Sequence, residues 1–328
     1  MTATTGTTAW LRADPWRQLF RDRPVIPLLV LLALLVLLAE VIRPGVVTPG
    51  WIGVIVRTAV PLAILAAGQT LTMLTGGIDL SVGAVASMAG FVVATLVSGP
   101  GMGVGLAAAL LAAAVAGIIT GIGVGVFRVH PLIMTLAMSL VILGLANVWQ
   151  LASVKTNSGT PPLLRSVGSN IFAEVLPYSL VVFVPVAAFV LLVQRRTGFG
   201  RLLYAIGDNP IAARLSGARS WQVLVVLYML SAILAAIAGF LYSGLTNVAS
   251  VTLVDSAVLP SVAAAVLGGT SILGGRGGYV GTIVGALILT VVESIINSLG
   301  YPEAVRQILF GAVIVAVAAA YTRVTGET

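Results

Sequence analysis

The chain has no cysteine in 328 residues. No disulfide, cysteine-ligated zinc, iron–sulfur cluster or thiol chemistry is available to it. It has one histidine, His130, so a multi-histidine metal site within the chain is excluded as well. Charge is also scarce. Asp, Glu, Lys and Arg make up 8% of the residues, against about 25% in an ordinary soluble domain. So few charges cannot cover the surface of a soluble fold of this size. A disordered chain, a nucleic-acid-binding domain and a secreted disulfide scaffold are excluded with it. In their place stand 59% hydrophobic residues, 37 glycines and a mean hydropathy of +1.12. This is the composition of a polytopic membrane protein. The net charge of +7 fits basic loops that set membrane orientation.

A membrane helix needs about 20 mostly apolar residues. Ten stretches fit, at 25–42, 54–74, 80–97, 103–126, 131–152, 176–194, 221–244, 257–273, 279–298 and 304–322. The runs are continuous rather than alternating, which predicts helices and not a β-barrel. The expected fold is therefore all-α, with a single transmembrane domain over 25–322 between an N-terminal segment 1–24 and a tail 323–328. The first stretch follows Arg12, Arg17, Arg21 and Arg23 but is not followed by a small-residue cleavage site. It reads as an uncleaved first helix. With the N-terminus inside and an even span count, 12 of the 17 basic residues fall inside. They are those four arginines with Arg128, Arg195, Arg196, Arg201, Arg214, Arg219, Arg276 and Arg323. The prediction is N-in and C-in. Gly117, Gly121 and Gly125 recur every fourth residue, as do Gly277, Gly281 and Gly285. That spacing predicts helix faces on which another backbone approaches closely.

Three segments carry more than hydropathy. In GQTLTMLTGGIDLSVG, residues 68–83, a polar Gln69 sits within an apolar helix, and Thr72 and Thr75 follow it. Gly76 and Gly77 break that helix, and Asp79 and Ser81 are placed to cap the next one. The stretch reads either as a capped turn or as a broken helix and hinge beside a translocation path. The loop 195–220 is the longest polar stretch, yet it contains Leu202, Leu203, Tyr204 and Ile206 before a Gly-Asp-Asn-Pro turn. Asn209 and Pro210 predict the start of a short helix and Gly217 its end. An amphipathic helix there needs something to bury its apolar side against, either a cytoplasmic partner or the lipid surface. In VLGGTSILGGRGGYVG, residues 266–281, glycines including Gly268 and Gly269 surround Arg276. The terminal Gly-Lys-Ser/Thr of a phosphate-binding loop is missing. A tight helix–helix turn or a mobile gate remains.

In this order and spacing the three segments resemble the permease subunit of bacterial ABC importers of the ribose/pentose type. Autoinducer-2 permeases belong to the same broad family, and branched-chain amino acid permeases are more distant relatives. The resemblance covers roughly residues 25–322. It implies a second permease subunit, identical or related, around a central pathway, a separate cytoplasmic ATPase, and an extracytoplasmic solute-binding protein. It implies an inner-membrane location. It also implies that ATP and magnesium are used by the ATPase and that no cofactor is bound by this chain. The family's coupling helix falls within 205–217, which marks Gly207, Asp208, Asn209, Ala213, Arg214 and Gly217 for ATPase contact. Pathway or hinge candidates are Gln69, Thr72, Thr75, Gly76, Gly77, Asp79, Ser81, Gly268, Gly269 and Asn297. One departure matters. Many ribose-type relatives open the span before the third segment with Glu-Leu-Asp, where this chain reads Val258-Leu259-Pro260-Ser261 with Asp255 the nearest acid. Sugar or polyol import survives that difference, but ribose itself does not follow.

Two other classes stay open. A proton- or sodium-driven transporter uses intramembrane acids, and the candidates are Glu40, Asp79 and Glu293. A membrane enzyme needs a catalytic constellation, and none is visible. His130 precedes Pro131 near Arg128, where a local capping or interfacial role is expected. A nearly neutral pathway suits an uncharged polyhydroxylated solute, with Gln69, Thr72, Thr75, Asn147, Gln150 and Asn297 as available polar groups. The outer loop 153–175 carries Lys155, Arg165 and Glu174, which are candidates for contact with the binding protein. A branched-chain amino acid or autoinducer-2 remains an alternative solute.

Overall fold

The computed structural model describes residues 25–97, 99–153, 159–302, 304–309, 311–312 and 315. The N-terminal segment, Lys155, the tail and most of the stretch 304–322 lie outside the described residues. Twelve α-helices are given bounds. They are α1 (Val25–Ile42), α2 (Pro49–Met73), α3 (Val82–Leu96), α4 (Met102–Gly125), α5 (Pro131–Ala152), α6 (Pro162–Ser169), α7 (Leu180–Arg196), α8 (Gly198–Asp208), α9 (Pro210–Leu215), α10 (Ser220–Thr246), α11 (Val258–Leu267) and α12 (Tyr279–Ser298). A two-stranded antiparallel hairpin, β1 (Ile171–Phe172) and β2 (Leu176–Pro177), follows α6.

Among the described residues six helices are long and apolar enough to cross a membrane: α1, α2, α4, α5, α10 and α12. A seventh is reached if α7 and α8, bent by 66° at their junction, count as one span. Two of the ten expected stretches form shorter helices. The stretch 80–97 yields α3 with 15 residues and 257–273 yields α11 with 10. At 1.5 Å per residue these reach about 22 and 15 Å, short of the roughly 30 Å hydrocarbon layer. The cause is local. After α2 the chain turns back on itself, so that Asp79 lies beside Gln69, and α3 starts well inside the bundle. α11 is stopped by the glycine turn that follows it. Gly269, Gly274, Gly275 and Gly277 adopt positive φ there.

The core is α10, buried along most of its length and packed against α2, α3 and α4. The glycine face of α4 makes one of the close backbone approaches, and Gly239 of α10 makes another, against the Ala86 carbonyl of α3. A Cβ on Gly117 would lie 2.5 Å from the Tyr228 carbonyl oxygen and one on Gly121 2.5 Å from Val225 Cα. Gly125 meets Trp221 in the same way. The expected backbone approach is therefore made, by α4 against α10. The second glycine series is made only in part. Gly281 and Gly285 of α12 press on Gly268, just after α11, and on Ala264 of α11, whereas Gly277 precedes the helix and belongs to the turn. α5 is peripheral. Its buried residues are Thr135, Met138, Ile142 and Ala146.

Candidate functional site

The break between α2 and α3 is held by a buried polar cluster. Gln69 is fully buried, and its amide clasps the backbone of Asp79: Nε2 donates to the Asp79 carbonyl at 2.6 Å, and Oε1 accepts from the Asp79 N–H at 3.2 Å. An unbroken helix would not need this side chain, because it would satisfy its own backbone. The Asp79 carboxylate is 1% exposed. Oδ1 accepts from the Ser81 N–H at 3.0 Å and the Ser81 hydroxyl at 2.6 Å, and Oδ2 accepts from Ser231 of α10 at 2.8 Å. A buried carboxyl group needs such hydrogen bonds to offset its desolvation. Among the described residues no basic side chain pairs with it. The expectation that the Ser81 side chain caps α3 is corrected. Ser81 is the N-cap residue, but its side chain makes no cap bond; its hydroxyl is turned toward Asp79, to which it donates. Thr135 of α5 donates to the Ile78 carbonyl at 3.3 Å. Tyr228 of α10 is buried, with its hydroxyl unpaired and close to Gly77. Thr72 and Thr75 return their hydroxyls to their own helix, Thr72 to Gly68 and Gln69, Thr75 to Thr72.

At the end of α2 the three sequence segments meet. The Gly275 N–H donates to the Leu74 carbonyl at 3.0 Å. A Cβ on Gly207 would overlap that same carbonyl oxygen and lie 2.5 Å from the Gly275 N. Gly275 itself has φ +71 and lies against Asp208. One backbone junction thus joins the α2–α3 break, the end of α8 and the turn between α11 and α12. Only a residue without a side chain fits at 207.

Side chains brace the junction. Tyr204 of α8 donates to the Gly277 carbonyl at 2.8 Å and accepts from Gln194 Nε2 at 2.9 Å. Gln194 Oε1 accepts from the Tyr279 N–H at 3.1 Å, which satisfies one of the donors at the start of α12. Tyr279 donates its hydroxyl to the Ala63 carbonyl of α2 at 3.1 Å. The sequence reading did not single out Gln194 or Tyr279. The available signal was a lone amide at the end of an apolar run, just before Arg195 and Arg196.

Beyond the junction, α9 forms as expected. Asn209 Oδ1 accepts from the N–H groups of Ile211 and Ala212 at 3.1 and 3.0 Å, Pro210 occupies the first turn, and Gly217 follows at φ +89. Ala213 packs inward, while Asp208, Ile211, Arg214 and Leu215 are exposed. Arg214 Nε donates to the Pro210 carbonyl at 3.1 Å. Ile211 and Leu215, one turn apart, are 65% and 84% exposed and form an apolar face that no described residue covers.

The remaining candidates are dispersed. Gly268 packs against Gly281 and Thr282, Gly269 faces open space, and Asn297 is exposed near the end of α12. Asp255 opens a single 3₁₀ turn, whose neighbour Val254 donates its N–H to Ser87. Glu40 accepts from the N–H groups of Gly45 and Val47 at 2.7 and 3.0 Å, closing its own turn. Glu293 is ion-paired with Arg306. His130 precedes Pro131 at the start of α5 without a side-chain cap bond. Arg165 and Glu174 are exposed beside the β-hairpin. Among the described residues no cluster of three or more His, Cys, Asp or Glu side chains could hold a metal.

A broken helix, a backbone junction and an exposed short helix, in a chain of apolar membrane-span candidates, fit a membrane protein. Residues 52–318 match the family described as "Branched-chain amino acid transport system / permease component". The chain belongs to that family. It is similar to the ribose import permease protein of Bacillus subtilis (strain 168), with 36% identity over 285 residues, 86% of this chain and 88% of that protein. It is 34% identical to the ribose import permease protein of Escherichia coli (strain K12), over 95% of this chain and 96% of that protein. It is 31% identical to the fructose import permease protein of Rhizobium meliloti, over 88% of this chain and 82% of that protein. No solved structure matches.

Proposed function

We propose that this chain is the permease subunit of an ABC importer for a sugar or related polyol. The carrying observation is the backbone junction at Leu74, Gly207 and Gly275. It ties an exposed apolar helix outside the spans to a broken helix within them, which is what a subunit driven from outside the membrane requires. The named sugar specificities of its relatives support the solute class.

The junction end is read as cytoplasmic. Arg128, Arg195, Arg196, Arg201, Arg214, Arg219 and Arg276 belong to the loops that gather there, as the positive-inside rule requires. In this reading α3 and α11 complete the membrane layer as short helices, and residues 304–322 supply the last span. Both termini are inside. A separate ATPase seats on Ile211, Arg214 and Leu215 of α9. Asn209 and Gly217 set the ends of that helix, and Ala213 anchors it. ATP closes the ATPase, α9 and α8 shift, and Gly207 carries the displacement to Leu74 and the break at Gly76 and Gly77. The Asp79 cluster then changes its packing, and the pathway opens to the other side. A second permease subunit completes the pathway, and a solute-binding protein docks at the opposite end near Arg165 and Glu174. Glu293 already has a cation partner in Arg306, which disfavours it as a coupling-ion site.

The test is reconstitution of the chain with the ATPase and binding protein encoded alongside it. The expected result is ATP-dependent uptake of one or more members of a panel of pentoses, hexoses and polyols. Uptake driven by an ion gradient without the ATPase would overturn the proposal.

A further inference from the structure

We propose that one flank of α5, carrying Ser139, Asn147 and Gln150, lines the solute pathway, where the Asn147 and Gln150 amides hydrogen-bond the hydroxyl groups of an uncharged polyhydroxylated solute. This rests on the importer reading above.

The rotation of α5 is fixed at both ends. Near its start Thr135 donates to the Ile78 carbonyl at 3.3 Å. Near its end Trp149 Nε1 donates to Thr95 of α3 at 2.9 Å. Between these two pins Met138, Ile142 and Ala146 are buried, so the opposite side of the helix faces away from this chain. That outward side is not uniform. At 100° per residue, Ser139, Asn147 and Gln150 fall within one sector about 80° wide together with Leu132, Leu136 and Leu143, so this sector is polar toward the end of the helix, at Asn147 and Gln150. Ala137, Val141, Leu145 and Val148 fall within another of about 80°, which carries no polar side chain.

The apolar sector suits lipid. The polar sector does not. Asn147 lies five residues before the end of α5, about 8 Å along the axis, and is exposed, as is Gln150. Neither amide has a side-chain hydrogen-bond partner among the described residues. An amide turned toward hydrocarbon without a partner costs several kcal/mol by order of magnitude, so this flank is predicted to face water or polar groups. α5 carries no Asp, Glu, Lys or Arg. A charged solute would find no counter-charge on it. An amide offers both donors and an acceptor, which matches a hydroxyl that gives and takes a hydrogen bond.

The same helix is positioned to move. Its first residue, Pro131, lies against Gly77, where an added Cβ would come within 3.3 Å of the proline ring. The break that the junction controls therefore bears directly on the root of α5. A displacement at Leu74 reaches the amide flank through Gly77 and Ile78.

Because the chain has no cysteine, single substitutions report cleanly. Asn147→Cys, Gln150→Cys, Val141→Cys and Leu145→Cys are placed one at a time in the full chain, assembled with its ATPase and binding protein in proteoliposomes. A membrane-impermeant sulfonated maleimide should label the first two at least about tenfold faster than the last two. Ribose or fructose taken up with ATP should slow that labelling severalfold. Equal, slow labelling at all four sites would overturn the inference, since the flank would then face lipid. Oxidative cross-linking of Asn147→Cys between two copies, without maleimide labelling, would overturn it in favour of a subunit contact. Fast labelling in a protein whose uptake needs no ATPase would refute the importer reading while upholding the pathway assignment. As an independent measure, Asn147→Leu with Gln150→Leu should lower kcat/KM for uptake about tenfold, the effect of roughly one hydrogen bond, with ATPase recovery unchanged. Asn147→Gln should restore part of it. Normal uptake by the double leucine variant would overturn the inference.

Discussion

Three donors converge on the buried Asp79 carboxyl group: the Ser81 N–H, the Ser81 hydroxyl and the Ser231 hydroxyl. The last of these comes from α10 and ties the break to the core helix. Ser231→Ala leaves one carboxylate oxygen without that bond. A buried acceptor left unpaired costs about 1–3 kcal/mol. The expected outcome is a lower midpoint of thermal unfolding in detergent, with insertion into the membrane unchanged. Ser231→Thr, which keeps the hydroxyl, should lose less. An unchanged midpoint for the alanine variant would show that the bond contributes nothing. Gly207 is a second residue whose role is set by space. Any side chain there meets the Leu74 carbonyl, so Gly207→Val should abolish uptake by forcing α8 off the end of α2. Co-purification of the ATPase through α9 is expected to persist. Full transport by Gly207→Val would show that the junction yields at no cost.

At the scale of elements, α9 and the glycine faces make separable predictions. Ile211 and Leu215 present an apolar face to solvent, and Arg214 lies between them in sequence. Arg214→Glu combined with Leu215→Glu reverses one charge and removes much of that face. Recovery of the ATPase from detergent should fall by about tenfold or more, consistent with losing one well-buried anchor at an interface. Protein levels in the membrane should not change. Unchanged recovery would place the ATPase elsewhere. Next to the junction, Gly281→Leu drives bulk into the Gly268 carbonyl. It is expected to impair folding or uptake, read as loss of monodisperse protein in detergent. The long apolar helices, the α9 caps and the glycine approach of α4 were legible in the sequence, because hydropathy, Asn-Pro and four-residue glycine spacing are local signals, whereas α6 and α8 lie in stretches that read as loop. The short span of α3 was not. It depends on Gln69 reaching a backbone ten residues on, and an apolar run of near-spanning length gives no sign of where it begins in depth. The inward packing of Gly207 was equally hidden. Its partner, Leu74, lies 133 residues away in the chain, and its loop looks like surface. Asn147 and Gln150 were visible as polar residues in a span, but their outward direction follows only from the pins at Thr135 and Trp149.

For the whole molecule, one orientation must satisfy both the charge pattern and the machinery. The basic loops after α4 and α7 and before α10 share an end with the junction, since Gly125 meets Trp221 and Gly207 meets Leu74. The opposite end carries the β-hairpin with Glu174 and Arg165. If the ATPase is cytoplasmic, these two ends cannot exchange sides without placing α9 where no ATP-driven partner exists. The absence of cysteine makes the assignment measurable. Leu215→Cys and Glu174→Cys, each alone in the intact chain, differ only in which end they mark. In right-side-out spheroplasts a membrane-impermeant maleimide should label Glu174→Cys at once. It should label Leu215→Cys only after the membrane is opened with detergent. The opposite pattern would invert the topology and detach the exposed face of α9 from any ATPase. Labelling of both sites in sealed membranes would mean that α9 is not held on one side at all. In either case the chain of contacts from α9 through Gly207 to the break at Gly76 and Gly77 would have no drive, and transport would need a source of energy within the spans themselves.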